Sequence, residues 1–342
     1  MKFRFGIIGC GRIAPRHVAA IKSLEGCEVV AGCDNVPEIL DQFCEEHGVT
    51  KKYTDYHDLL KDKNVDVVVI CTPSGLHAQM TIDAAKAKKH VVTEKPMAME
   101  LKDADAMIKA CEDNKVRLFV VKQNRYNPPV VKLFNALKKG RFGKLLYLNT
   151  NVLWCRPQSY YDMAEWRGSA EQDGGILLNQ ASHHVDLLRW IGGEVKSVYA
   201  KLDTIDHDIE VPDIALIIMK FKNGAYGTIT ATNCTYPKNM EGSVTVLGTK
   251  GCAKVGGFAV NKIDHWDFQD YENDDEMIMD SSTLPPDVYG FGHKEVYKNV
   301  VGSLRTGKNA FVDGFEGRTS LELIEAIYES AKSSKEVEID KK

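Results

Sequence analysis

The chain of 342 residues has no excess of basic charge, no membrane-length apolar run, no Cys-x-x-Cys pair, no internal repeat and no low-complexity tract. Each absence excludes something. A net charge of -4 without a basic stripe argues against a nucleic-acid surface, because neutralising phosphates demands clustered Lys and Arg. No run reaches the ~18 apolar residues of a membrane span. Gly6, Gly9 and Gly11 break the apolar start well short of a signal-peptide core, so the expected compartment is the cytoplasm. Nine cysteines, at positions 10, 27, 33, 44, 71, 111, 155, 234 and 252, form an odd set without metal-ligand spacing. They read as reduced core thiols, with no metal expected. What is present is 44% hydrophobic and 27% charged residues, a globular composition long enough for roughly two domains of about 150 residues each. The expected partners are small molecules and further copies of the chain.

From Lys2 to Val121, short β-branched runs alternate with amphipathic segments, the pattern of βα units around a doubly wound parallel sheet. Strands are expected at Phe3–Ile8, Glu28–Cys33, Asp66–Cys71, His90–Glu94 and Arg117–Val121. The connections are too long for antiparallel hairpins. After residue 122 the pattern changes to longer alternating runs: Leu145–Trp154, Ser197–Leu202, Ile214–Phe221, Ala225–Asn233 and Ser243–Gly248. These suit a mostly antiparallel sheet with one buried face, interrupted by a helix near His183–Trp190. The expected division is an α/β Rossmann domain over 1–122 and an α+β domain over 123–342. The last strong helix, Gly317–Ala331, either stays in the second domain or packs back on the first. Asp267–Pro286 is polar, acidic and aperiodic, and reads as a loop.

Gly9-Cys10-Gly11-Arg12-Ile13-Ala14 follows the first strand and opens a helix, the GxGxxA form of a dinucleotide-binding turn. Gly9 permits the tight turn, Gly11 admits the pyrophosphate to the backbone, and Ala14 lets helix and sheet pack closely. The phosphates then meet the helix N-terminus, where free N–H groups favour negative charge. Asp34, at the end of the next strand, is placed to accept the ribose hydroxyls. Its carboxylate repels a 2′-phosphate, and no arginine follows it, so NAD is expected rather than NADP. Thr72, Ser74 and His77 lie just beyond another strand end and are expected to line the cofactor; Ser74 also suits a helix N-cap. Glu94-Lys95-Pro96 ends a further strand on that edge, where a lysine is unusual unless its charge faces a ligand.

These motifs, with Gly174-Gly175 followed by His183 and Asp186, resemble the Gfo/Idh/MocA oxidoreductase family over the whole chain. The resemblance implies that Lys95 approaches both nicotinamide and substrate and that His183 takes a hydroxyl proton. Chemically this is sound: loss of hydride from a secondary alcohol needs a base, histidine titrates near neutrality, and a lysine can steady the developing alkoxide. The family usually carries an aspartate four residues before that histidine, whereas Asn179 stands here. Adjacent His184 points about 100° away around a helix, so only one of the two can face the site. Asp186 is expected to secure the helix.

A narrower resemblance, to bacterial nucleotide-sugar 3-dehydrogenases acting on UDP-linked N-acetylhexosaminuronates, rests on residues 117–125, on Trp154-Cys155-Arg156-Pro157-Gln158 with Tyr160, on Trp166-Arg167-Gly168, and on residues 179–183. It implies oxidation at C3 for surface polysaccharide (O-antigen) biosynthesis. It also implies a homo-oligomer, tetramer or dimer, joined through the second domain's sheet. A diphosphate and a carboxylate call for cations and amides. Lys122, Asn124, Arg125, Arg156, Gln158, Tyr160, Asn179, Lys238 and Asn239 are the candidates for the sugar nucleotide, and Arg12, Ile13, Glu94, Gln123, Trp166 and Arg167 join the cofactor set. A free-polyol or aldose dehydrogenase and an NAD-dependent glycoside hydrolase are the competing readings.

Overall fold

A computed structural model describes residues 2–276, 278–283 and 288–339. The chain forms two compact units, Met1–Lys122 with His293–Leu321 and Gln123–Gly292 with Glu322–Lys342. The first division falls at residue 122, while the segment His293–Leu321 returns to the first unit.

In the first unit, β1 (Phe3–Ile8), β2 (Cys27–Cys33), β3 (Lys51–Tyr53), β4 (Val67–Ile70), β5 (His90–Thr93) and β6 (Leu118–Val120) form a six-stranded parallel sheet. Its order is β3-β2-β1-β4-β5-β6, a doubly wound topology whose direction of winding reverses between β1 and β4. Ligand crevices open beyond the strands' carboxyl ends at such a reversal. The sequence VVVI of β4 is wholly buried, as a central parallel strand requires. Sequence patterning missed β3, because Lys51-Lys52-Tyr53 is short and polar and becomes a strand only by pairing with Ala31–Cys33.

In the second unit, β7 (Leu145–Leu153), β8 (Val195–Asp203), β9 (Ile214–Phe221), β10 (Tyr226–Thr232), β11 (Glu241–Gly248), β12 (Gly251–Gly256), β13 (Lys262–Phe268) and β14 (Val337–Glu338) form an eight-stranded sheet. Its order is β13-β12-β11-β7-β10-β9-β8-β14, antiparallel except where β10 pairs with β7. Strand β9 buries Ala215, Ile217, Met219 and Phe221 on one face and leaves Leu216 and Ile218 about half exposed on the other. The helix Ser182–Gly192 covers the inner face against β7 and β11.

Two expectations need correction here. The span Asp267–Pro286 is not all loop: β13 runs to Phe268, and 3-10 turns follow at Asn273–Asp275 and Ile278–Ser281. Arg141 orders that acidic run by holding both oxygens of Asp275, and the Trp266 indole N–H donates to Asp275 as well. Pro285 and Pro286 lie outside the described residues. The cysteines are all free, yet Cys27, Cys71, Cys155, Cys234 and Cys252 are only half-buried and are not core thiols. The helices Pro128–Lys138 and His293–Thr306 were not expected, and the last helix spans Gly314–Ser333.

Candidate active site

In the first unit, the β1 turn takes the shape its glycines allow. Gly9 has φ +88, and a side chain there would meet the Cys71 carbonyl carbon at 2.8 Å. Around Gly11 a Cβ would find nothing within 4 Å, so the backbone there faces open space, which fits the close approach of a pyrophosphate. Ala14 is fully buried at the start of the helix Ala14–Lys22. Asp34 accepts the Cys10 N–H at 2.9 Å and the Val36 N–H at 3.0 Å, which fixes its carboxylate beside the glycine turn. These residues fit a dinucleotide.

Glu94 and His77 have other employment than the expected direct one. Glu94 is buried; one oxygen pairs with His17 Nε2 at 3.0 Å and the other accepts the Lys95 N–H at 3.0 Å. Burial alone would raise its pKa, but the His17 hydrogen bond and the charges of His17, His293 and Lys95 outweigh that and hold it at about 2. The other His17 ring nitrogen, Nδ1, lies 2.8 Å from the Tyr297 hydroxyl. Half-buried Lys95 thus leaves the strand from a backbone anchored on a buried carboxylate that is itself hydrogen-bonded to His17. His77, expected to line the cofactor, is buried with Nδ1 2.7 Å from the Pro96 carbonyl and Nε2 2.9 Å from the Thr72 carbonyl. It ties the Thr72 turn to the Lys95-Pro96 turn and has no ring nitrogen left for a ligand. His17, His293 and Tyr297 went unnoticed in the sequence, since no local pattern links residue 17 to residue 297.

In the second unit, the turn Gln123–Tyr126 and the helix Ser182–Gly192 carry the polar residues together. Buried Gln123 Oε1, Asn124 Oδ1 and both amide atoms of Gln180 have no hydrogen-bond partner among the described residues, the condition of groups kept for a ligand. His183 is 6% exposed and His184 wholly buried. His184 packs edge-on against Trp154, and burial lowers its pKa to about 4, so it is neutral in the interior. Asn179 donates its amide to buried Asp173 at 2.8 Å, a carboxylate that sequence reading did not single out.

A second cluster is cationic and aromatic. Arg156 lies over the rings of Trp154 and Tyr160 and donates to Asn239 Oδ1 at 3.1 Å. Arg167 lies over Tyr160 and Trp166 and bonds the Tyr160 hydroxyl. Gln158 holds the Asp208 backbone, and His207 bridges the Arg156 carbonyl and Asp213. Lys238 is exposed in the same loop as Asn239.

Two expected substrate cations are not free for that task. Lys122 is buried in the first unit with Nζ on Ser320 Oγ at 2.8 Å. Arg125 is fully buried, with Nε and Nη2 each 2.7 Å from the Asp186 carboxylate and its guanidinium over Trp190. Lost solvation makes an interior guanidinium depend on such a partner. Asp186 therefore secures its helix through Arg125.

Residues 3–122 match "Oxidoreductase family, NAD-binding Rossmann fold" and residues 135–339 match "Oxidoreductase family, C-terminal alpha/beta domain". The chain is similar to the WlbA dehydrogenase of Bordetella pertussis, with 45% identity, TM-score 0.96, and 100% of this chain and 99% of that one covered. That crystal structure is a complex with NADH and UDP-GlcNAcA. The WlbA dehydrogenase of Chromobacterium violaceum, in complex with the same two ligands, is 44% identical at TM-score 0.94, covering 100% of this chain and 97% of that one. Myo-inositol 2-dehydrogenase of Thermotoga maritima is 28% identical over 98% of each chain.

Proposed function

The chain belongs to the Gfo/Idh/MocA oxidoreductase family, and we propose that it oxidises the C3 hydroxyl of a UDP-linked N-acetylhexosaminuronate to the 3-keto sugar with NAD. The observation that carries this reading is full-length similarity, at 45% identity, to a dehydrogenase crystallised with NADH and UDP-GlcNAcA. NAD, when bound, supplies the hydride acceptor. The chain's own residues do the rest. His183 takes the hydroxyl proton, Lys95 donates to the oxygen as negative charge develops, and Asn179 orients the sugar. Arg156, Asn239, Lys238 and Tyr160 supply the cations and donors that a diphosphate and a uronate require, and Arg167 serves the cofactor. Gln123 and Asn124, with unpartnered amide oxygens, complete the polar lining.

The reading extends to a cytoplasmic homo-oligomer, a tetramer or dimer, serving O-antigen-type polysaccharide synthesis. Leu216, Ile218 and Tyr226, each about half exposed on the outer face of the second sheet, support sheet-to-sheet pairing.

The protein should be incubated with NAD and, separately, UDP-GlcNAc, UDP-N-acetylglucosaminuronate, inositols and glucose, following reduced nicotinamide and sugar products. Net reduction with the uronate alone is expected. Turnover of inositol in preference to it overturns the substrate assignment, and sugar cleavage without net reduction marks a glycoside hydrolase.

A further inference from the structure

Three trios of metal-ligating side chains lie close in space among the described residues. In the first, His17 already has both ring nitrogens held, by Glu94 and by the Tyr297 hydroxyl. In the second, both ring nitrogens of His207 are held, by Asp213 and by the Arg156 carbonyl. The third, Cys252, His265 and Asp267, has no such employment.

The β-ladder builds this third trio. Cys252 on β12 lies opposite Asp267 on β13, and His265 precedes Asp267 by two residues, so all three side chains share one face of a hydrogen-bonded hairpin. Lys254, opposite His265 on that face, is paired with Glu241 at 2.9 Å. Cys252 Sγ is 3.2 Å from His265 Nε2, and Asp267 Oδ2 is 2.9 Å from the same nitrogen. A catalytic triad would place the carboxylate on the other ring nitrogen. Here sulfur, nitrogen and oxygen converge on one point. A single ring N–H satisfies only one of the two neighbours, whereas a cation at the centre satisfies all three lone pairs. Donors on one zinc stand roughly 3–3.5 Å apart, given bond lengths of about 2.0–2.3 Å.

We propose that Cys252, His265 and Asp267 form a surface site for a divalent transition metal of the zinc class. The mixed thiolate, imidazole and carboxylate set selects such an ion over Mg²⁺ or Ca²⁺, which prefer oxygen alone. Cys252 is half-buried while His265 and Asp267 are exposed, so water completes the coordination. Binding replaces the thiol proton, which passes to solvent. No linear spacing reveals the site, because its ligands come from two paired strands.

The test uses the full-length protein after chelator treatment, titrated with Co²⁺ and then Zn²⁺. One equivalent of Co²⁺ should produce a cobalt–thiolate charge-transfer band with visible d–d bands, and Zn²⁺ should bleach both. Cys252→Ser should abolish the charge-transfer band, and His265→Ala should weaken Zn²⁺ binding by at least ~10-fold, with circular dichroism unchanged. If either variant fails to fold, Asp267→Asn gives the same reading through its loss of Co²⁺ affinity. Absence of the band in the wild type, or its survival in Cys252→Ser, overturns the proposal.

Discussion

Asp173 accepts the side-chain amide of Asn179 at 2.8 Å through one oxygen and the Gly168 N–H at 2.7 Å through the other. Because this carboxylate is fully buried, it fixes which way the Asn179 amide lies: nitrogen toward Asp173, carbonyl oxygen away from it. That relationship gives the departure at Asn179 a physical reason. The aspartate expected there from the family resemblance would bring a second negative charge against Asp173, so a neutral donor suits this position. The buried acid of this chain is Asp173, six residues before Asn179, and the residue that meets the sugar in the proposed site is an amide.

Lys95→Ala and His183→Ala should each lower turnover by roughly 10²–10⁴-fold while NAD binding stays near the wild-type value. If the two side chains handle one proton, the double variant should be little worse than the poorer single one. Steady-state rates and NAD titration calorimetry decide this. A His183→Ala enzyme with near-normal turnover across pH would remove histidine from the base role.

NAD should bind more tightly than NADP, and Asp34→Ala should narrow the difference. The same variant should also weaken NAD itself by about 10-fold, equivalent to ~1.4 kcal/mol, because the Cys10 N–H in the glycine turn loses its acceptor. Calorimetry with both dinucleotides checks it. Equal affinity of the wild type for both would dismiss the Asp34 assignment.

Contiguous features were legible in the sequence. The turn Gly9 to Ala14 and the run Glu94-Lys95-Pro96 each carry their neighbours with them, and the alternation of β9 states which face is buried. What escaped reading was set by distant partners. A lysine or arginine announces a cation but not the group waiting for it, so Lys122 and Arg125 looked available until Ser320 and Asp186 were seen beside them. His17, Asp173 and His207 look ordinary alone and gain their roles from Glu94, Asn179 and Arg156. Strands β12 and β13 were lost because Gly256 and Gly257 break the apolar pattern between them and acidic residues follow.

His184 should make the protein less stable in mild acid. Burial lowers its folded pKa to about 4, whereas the unfolded chain takes up its proton near 6.5. The unfolded state thus binds more protons between those values, so this contribution is complete above about pH 6.5 and is lost as pH falls toward 4. Between pH 7 and pH 5 it removes roughly 2 kcal/mol. Urea unfolding at both pH values should show a smaller acid loss in His184→Gln than in the wild type. Identical losses would mean that His184 is not held neutral inside the fold.

Asn179→Asp, the change that brings this chain nearer the family pattern, should damage it. A carboxylate replacing the amide nitrogen, now 2.8 Å from Asp173 Oδ1, faces a buried like charge, and one of the two acids must then hold a proton. A folded-state pKa raised by two units costs about 2.7 kcal/mol at pH 7. The sign follows from the raised value: the shared proton is present at low pH and lost as pH rises, so the defect shrinks toward pH 5. Urea midpoints for wild type, Asn179→Asp and Asn179→Ala at pH 5 and pH 7 separate charge repulsion from simple loss of the amide. Only the aspartate variant should recover on acidification, and its KM for the sugar nucleotide should rise at pH 7. An Asn179→Asp protein as stable as the wild type at pH 7 would mean that Asp173 does not dictate the residue at this position.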